Sequence, residues 1–180
     1  MRAGGPEHRL SAVFLDRDGV INRKAPEGRY ITAPGEFEFL PGAFAGLRLL
    51  GELAVPIVIV TNQRGIALGR MSEDDLTEIH AQMLERVRRE GGRIDAIFHC
   101  PHDGDCTCRK PRPGMLLDAG AALGFDPAAS VLIGDSDSDM RAAAAVGAQR
   151  ILIGKPQPGG IDVDAVADDL AAAARLIRSG

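Results

Sequence analysis

The stretch FLDRDGVIN, residues 14–22, decides the fold. It continues an apolar run from Ala12 to Leu15, then breaks at two carboxylates, Asp16 and Asp18, with Gly19 behind them. A short run rich in Val, Phe and Leu that ends in acids and glycine reads as a buried strand entering a sharp turn. Four more such runs follow, at Pro56–Val60, Ile94–His99, Ser130–Ile133 and Arg150–Ile153. Helical stretches separate them at Pro41–Leu53, Ser72–Glu90, Pro113–Leu123 and Asp137–Val146, with Glu73, Asp74 and Asp75 at one dipole-positive start. Ser72 and Asp75 there form a capping-box pattern. Strand alternating with helix predicts an α/β fold, a Rossmann-like, doubly wound parallel sheet in three layers. A short strand at Asp164–Ala167 and a terminal helix are expected after a Pro- and Gly-rich loop at Gly154–Gly160.

The 180 residues suit one domain, with residues 1–9 expected as a flexible tail. The chain is 45% hydrophobic and 26% charged, with a net charge of −4, and carries no long basic run. That balance argues against a nucleic-acid partner. No stretch reads as a secretory signal or a membrane span, so a cytoplasmic protein is expected.

In a parallel sheet, ligands bind beyond the carboxyl ends of the strands, and four such ends here carry chemistry. They are Asp16 and Asp18; Thr61 and Asn62 in VIVTNQRGI, residues 58–66; Lys110 in CRKPRPGM, residues 108–115; and Asp135 in VLIGDSDSDM, residues 131–140. Each alone has an ordinary reading as a turn, a helix cap or a solvated charge. Together they supply a carboxylate nucleophile, a second acid, a hydroxyl and a cation for phosphate oxygens, and a further acid for Mg²⁺. A calcium loop at Asp135, Asp137 and Asp139 fails on spacing, because Met140 and Val146 occupy the positions that need Gly and an acid.

All three cysteines lie in HCPHDGDCTCRKP, residues 99–111. Cys100, His102, Cys106 and Cys108 make a Cys₃His set suited to a closed, structural Zn²⁺ site. Placed just before Arg109 and Lys110, the metal would pin the loop that aims both cations. His80 and His99 read as ordinary surface or strand-end residues rather than ligands.

The four strand-end motifs, in this order, resemble those of the haloacid dehalogenase superfamily. The resemblance implies that Asp16 attacks phosphorus and that Asp18 protonates the leaving oxygen and then deprotonates water. It assigns Mg²⁺ to the Asp16 carboxylate, the Asp18 carbonyl and Asp135, with Asp139 in support. Thr61 and the Asn62 backbone would hold phosphoryl oxygens, and Lys110 would neutralise their charge. Asp18, beside an anionic phosphate, would hold its proton more readily. The short spacings between motifs leave no room for a full cap domain.

Within the superfamily, DRDG, TNQ and the CxH…CxCRKP segment resemble the heptose bisphosphate phosphatases and the related histidinol-phosphate phosphatases. YITAPGEFEFLPGA, residues 30–43, and TNQRGIALGRMSEDDL, residues 61–76, look more like the heptose group. A small phosphorylated sugar is then the expected substrate, its C7 phosphate on a heptose 1,7-bisphosphate the expected target, and a monomer the expected state. The resemblance also sets Arg109 on the sugar phosphate and Asn62 and Gln63 at the pocket entrance. Arg64 stands where that group carries a small or neutral residue, and Ser136 where some members carry Lys. Arg64 either supplies the charge that Ser136 lacks or marks another anionic substrate. A phospho-receiver domain is the competing class, disfavoured because Asp18 sits beside Asp16 as an acid/base should.

Overall fold

The sheet consists of β1 (Val13–Leu15), β2 (Ile57–Asn62), β3 (Ala96–Cys100), β4 (Val131–Gly134), β5 (Gln149–Ile153) and β6 (Ala165–Ala167). They pair in the order β3-β2-β1-β4-β5-β6, every pair parallel. The computed structural model describes residues 10–179, so the tail expected at 1–9 lies outside the described residues. The chain winds outward from β1 through β2 to β3, then crosses back to β4 and winds the other way. The switch point therefore falls between β1 and β4, with Leu15 opposite Ile133 at its edge.

Alternation along the strands builds the two cores. Val13, Leu15, Ile57, Ile59, Val131 and Ile133 face α1 (Ala43–Gly51), α2 (Glu73–Arg89) and α5 (Leu170–Ser179), through Leu47, Leu50, Met83, Val87 and Leu170. Phe14, Val58, Val60 and Leu132 face α3 (Gly114–Leu123) and α4 (Asp137–Val146), through Met115, Leu116, Met140 and Ala143. Each fully buried aliphatic side chain in these layers contributes about 1.5–3 kcal/mol. Strands buried on both faces read as continuous apolar runs, which is why the sequence shows no polar alternation in them.

Helix boundaries follow local chemistry. Ser72 accepts from the Asp75 N–H and Asp75 returns a bond to the Ser72 N–H, completing the capping box of α2. α1 starts two residues later than Pro41, because Gly42 takes a left-handed φ of 82° at its N-cap. Among the described residues, no helix is long and apolar enough to cross a membrane.

Candidate active site

Strand β1 ends at Leu15; Asp16 still donates its N–H to the Ile133 carbonyl at 2.9 Å, whereas Asp18 lies past the strand, bridged to Asn22 across the turn that follows. The Arg17 carbonyl accepts from the N–H groups of Val20, Ile21 and Asn22, which curls residues 17–22 tightly. Gly19 sits at φ 98°, and a Cβ there would lie 2.0 Å from Asp135 Oδ2. The close approach of this turn to the end of β4 thus requires glycine.

Three carboxylates converge at the switch point: oxygens of Asp16, Asp135 and Asp139 all lie within 4.8 Å of one another. Lys110, buried like Asp16 and Asp139, places Nζ 2.8 Å from Asp16 Oδ1 and 2.6 Å from Asp139 Oδ1 and donates to the Val60 carbonyl at 2.7 Å. Burial pushes the Asp16 carboxyl up to about 7, against the pull of Lys110, and the nearby Asp139 and Asp18 charges add to the rise. Burial also opposes ionisation of Asp139, but Lys110 and the Ser136 donors hold it below the usual carboxylate range. Lys110 is itself raised: burial works against its charge, and the two carboxylates outweigh it.

Asp18 faces a different set of partners. Arg17 Nη2 donates to both Asp18 oxygens at 3.0 Å, Asn22 Nδ2 to Oδ1 at 2.9 Å, and Gln63 Nε2 to Oδ2 at 2.9 Å. Burial would raise Asp18, yet the Arg17 charge and these donors hold it below the ordinary value. Its own neighbours therefore favour the carboxylate, the reverse of the direction expected beside an anionic phosphoryl group.

Gln63 is 4% exposed and also donates to Thr61 Oγ1 at 2.9 Å, so it lies under the site instead of at an entrance. Asn62 is fastened to the loop that bears Lys110: its Nδ2 donates to the Lys110 carbonyl and its Oδ1 accepts from the Lys110 N–H, each at 3.1 Å. Arg64 forms an ion pair with Asp103, and Arg109 Nη1 donates to the His102 carbonyl at 3.2 Å. The cation beside Asp135 is Lys24, with Nζ 2.6 Å from Oδ2, so Lys24 and not Arg64 provides the charge near Ser136. Ser136 caps α4 in a second capping box: its hydroxyl accepts from the Asp139 N–H, and Asp139 Oδ2 accepts from the Ser136 N–H at 3.1 Å and from the Ser136 hydroxyl at 2.6 Å.

The acid cluster fits a divalent cation. Burial raises Asp135, and its Oδ1 is buried without a hydrogen-bond partner, an oxygen left for a ligand. Asp135 itself lines a small hollow of about 20 Å³ with Asp137, Met140 and Lys155; its neighbours Lys110 and Lys24 line larger ones, of 340 Å³ with Arg109 and Arg112 and of 240 Å³ with Arg23, Arg29 and Tyr30.

The cysteine cluster fits a tetrahedral ion equally well. Cys100 Sγ lies 3.0 Å from Cys108 Sγ and 3.6 Å from Cys106 Sγ, while His102 Nδ1 lies 3.3 Å from Cys108 Sγ and 3.5 Å from Cys100 Sγ. Ligands about 2.0–2.3 Å from a tetrahedral zinc are separated by about 3.3–3.8 Å, close to this spread. All three cysteines are free thiols.

Four residues that the sequence reading did not place in the site take part here: Arg17, Asn22 and Lys24, and His80, which it read as an ordinary surface or strand-end residue. His80 is 9% exposed and holds Arg17, so it is neither a surface residue nor a strand-end one. The signal was present, since His80 shares the helical stripe of Leu76, Met83 and Val87. His99 does lie on β3, with Nε2 2.9 Å from Glu73 Oε2.

This geometry can be set beside known proteins. A family model described as HAD-hydrolase-like matches residues 107–173. The D-glycero-alpha-D-manno-heptose-1,7-bisphosphate 7-phosphatase of Mycobacterium tuberculosis is 42% identical, over 87% of this chain and 83% of its own. The D-glycero-beta-D-manno-heptose-1,7-bisphosphate 7-phosphatase of Pseudomonas aeruginosa is 38% identical, over 93% of this chain and 97% of its own. The solved D,D-heptose 1,7-bisphosphate phosphatase of B. bronchiseptica, complexed with magnesium and phosphate, superposes with a TM-score of 0.86 at 35% identity. That match covers 95% of this chain and 100% of the other. Fold, strand-end acids and relatives agree: the chain belongs to the haloacid dehalogenase-like hydrolases, in the family of the heptose-1,7-bisphosphate 7-phosphatases.

Proposed function

We propose that the chain is a Mg²⁺-dependent phosphoric monoester hydrolase that removes the C7 phosphate of D-glycero-D-manno-heptose 1,7-bisphosphate through a phosphoaspartate at Asp16. The observation that carries this reading is the contact of Lys110 with both Asp16 and Asp139 at the sheet's switch point, beside Asp135. The substrate comes from the relatives named for it.

In the first step an Asp16 oxygen bonds to phosphorus, the bond from phosphorus to the C7 oxygen breaks, and Asp18 gives its proton to that oxygen. The negative charge of the bound phosphoryl group raises Asp18 against the Arg17 fork, so that it carries the proton to be given. In the second step water attacks phosphorus, Asp18 takes its proton, and inorganic phosphate leaves Asp16. Thr61 Oγ1 and the Asn62 N–H hold phosphoryl oxygens, while Lys110 balances the charge that develops there. Arg109 is the candidate for the more distant phosphate, as a planar fork suited to its oxygens.

The Asp16 carboxylate, the Asp18 carbonyl and Asp135 would hold Mg²⁺, with Asp139 steadying Lys110 and the start of α4. When bound, Mg²⁺ supplies positive charge at the phosphoryl oxygens and keeps Asp16 ionised. Cys100, His102, Cys106 and Cys108 would hold a structural Zn²⁺ that stiffens the loop bearing Arg109 and Lys110. The wider reading is a monomeric, cytoplasmic, one-domain enzyme whose site is covered by loops and not by a cap.

The test is steady-state phosphate release from both anomers of heptose 1,7-bisphosphate and from histidinol phosphate, with Mg²⁺ present. A higher kcat/KM on a heptose anomer is expected. A clear preference for histidinol phosphate would overturn the substrate, and no Mg²⁺-dependent release from any of them would overturn the activity.

A further inference from the structure

Arg17 brings a full charge into the interior, being 1% exposed, and a buried guanidinium needs partners at every edge. One terminal nitrogen, Nη2, is spent on Asp18, donating to both of its oxygens at 3.0 Å. The other terminal nitrogen, Nη1, lies 3.1 Å from His80 Nε2 on α2. The Phe37 ring lies 5.7 Å below the guanidinium carbon. Nε has no partner among the described residues, so the two terminal nitrogens set how the guanidinium lies in its plane.

A guanidinium has no lone pair to offer, so the hydrogen bond exists only if His80 Nε2 is the acceptor. His80 must then be neutral with its proton on Nδ1. Burial, reinforced by Arg17 and His99, drives His80 down to about 3, which keeps it in that form at any ordinary pH. α2 itself is anchored by its capping box and by Leu76, Ile79, Met83 and Val87 in the core.

We propose that His80 is a positioning residue for the reaction: through Arg17 it fixes the Asp18 carboxylate against helix α2. This rests on the phosphatase reading, in which Asp18 passes a proton to the leaving oxygen and takes one from water. Such a group serves two oxygens in turn, and an error of about 1 Å in its place can cost about 100-fold in rate. Asn22 and Gln63 also hold Asp18, but both are short amides that approach single oxygens. Among the described residues, only Arg17 Nη2 reaches both oxygens, and only His80 holds that guanidinium from its other end.

The test pairs His80→Leu, which keeps apolar bulk and removes the acceptor, with His80→Gln, which keeps an acceptor. With Mg²⁺ and heptose 1,7-bisphosphate, kcat of His80→Leu is expected to fall about 10- to 100-fold, as for other outer partners of site groups, with KM within about twofold. His80→Gln should recover most of that loss. Nitrogen-15 NMR adds a readout free of turnover: Arg17 guanidinium protons should be protected from exchange in wild type and His80→Gln and exposed in His80→Leu. Wild-type turnover and Arg17 protection in His80→Leu would overturn the inference. So would equal losses of kcat and of melting temperature in both variants, which would mark His80 as packing alone. A wild-type protein that releases no phosphate would instead refute the phosphatase reading, and this role with it.

Discussion

Lys110 Nζ donates to Asp16 Oδ1 at 2.8 Å across 94 positions of sequence, and the contact joins the ends of two separate motifs inside the protein. A buried ammonium shared by two buried acids is a structural element, and in the proposed reaction it also balances phosphoryl charge. Removing it leaves Asp16 and Asp139 facing each other without compensation. Lys110→Met is therefore expected to lower kcat about 100- to 1000-fold. It should also destabilise the fold by about 3–5 kcal/mol, the usual consequence of orphaning a buried charge. Phosphate release and urea unfolding on the same preparation check both.

Gly19 offers a test that replaces no charged residue. Its φ of 98° and the 2.0 Å approach of a built Cβ to Asp135 Oδ2 leave no room for a side chain. Gly19→Ala is expected to lose about 1–3 kcal/mol to backbone strain. Asp135 must also shift, so the Mg²⁺ concentration for half-maximal activity should rise about tenfold or more, as when a metal ligand's support is lost. An unchanged Mg²⁺ dependence would separate Asp135 from the metal.

The thiol cluster is expected to carry one Zn²⁺ per chain, measurable by metal analysis of untreated protein. Cys108→Ser should lose that zinc and lower the melting temperature by several degrees, since metal binding to such a set is coupled to folding. Because Cys108 adjoins Arg109 and Lys110, its kcat/KM should drop as well. Full activity in zinc-free protein would confine the ion to the loop itself.

His80 sets a pH signature. Its value in the folded protein is about 3 against an ordinary 6.5. Above pH 6.5 both folded and unfolded chains hold it neutral, and its contribution is complete. Below pH 6.5 only the unfolded chain takes up the proton, so stability is lost as pH falls toward 3, by up to about 1.4 kcal/mol per unit. His80→Gln lacks this slope. Relative to wild type, it should gain about 2 kcal/mol between pH 7 and pH 5 in urea unfolding. Parallel pH curves would show that His80 titrates normally.

The sheet was legible because its central strands β1, β2 and β4 are buried on both faces, and each spells a short apolar run that ends beside a polar residue. Asp16, Thr61, Lys110 and Asp135 were legible for the same reason, as the polar residues next to those stops or to the loop that returns to them. Arg17 was not, because alternation assigns it to the face away from its neighbours, whereas the turn after Leu15 brings its fork back onto Asp18. Lys24 depends on the path of the loop after Asn22, which no periodicity encodes. Arg64 looked like a site cation from its place beside Gln63, yet Asp103 in the cysteine loop captures it, a contact set by two irregular segments. Short local signals such as Ser72 with Asp75 carried through unchanged, since capping is decided within four residues.

Whether Asp16 bonds to phosphorus is decided by Mg²⁺-dependent phosphate release from heptose 1,7-bisphosphate by purified Asp16→Asn, with circular dichroism matching wild type. Turnover is expected to fall at least about 1000-fold, as for the loss of other covalent nucleophiles. Turnover at the wild-type rate would contradict that bond.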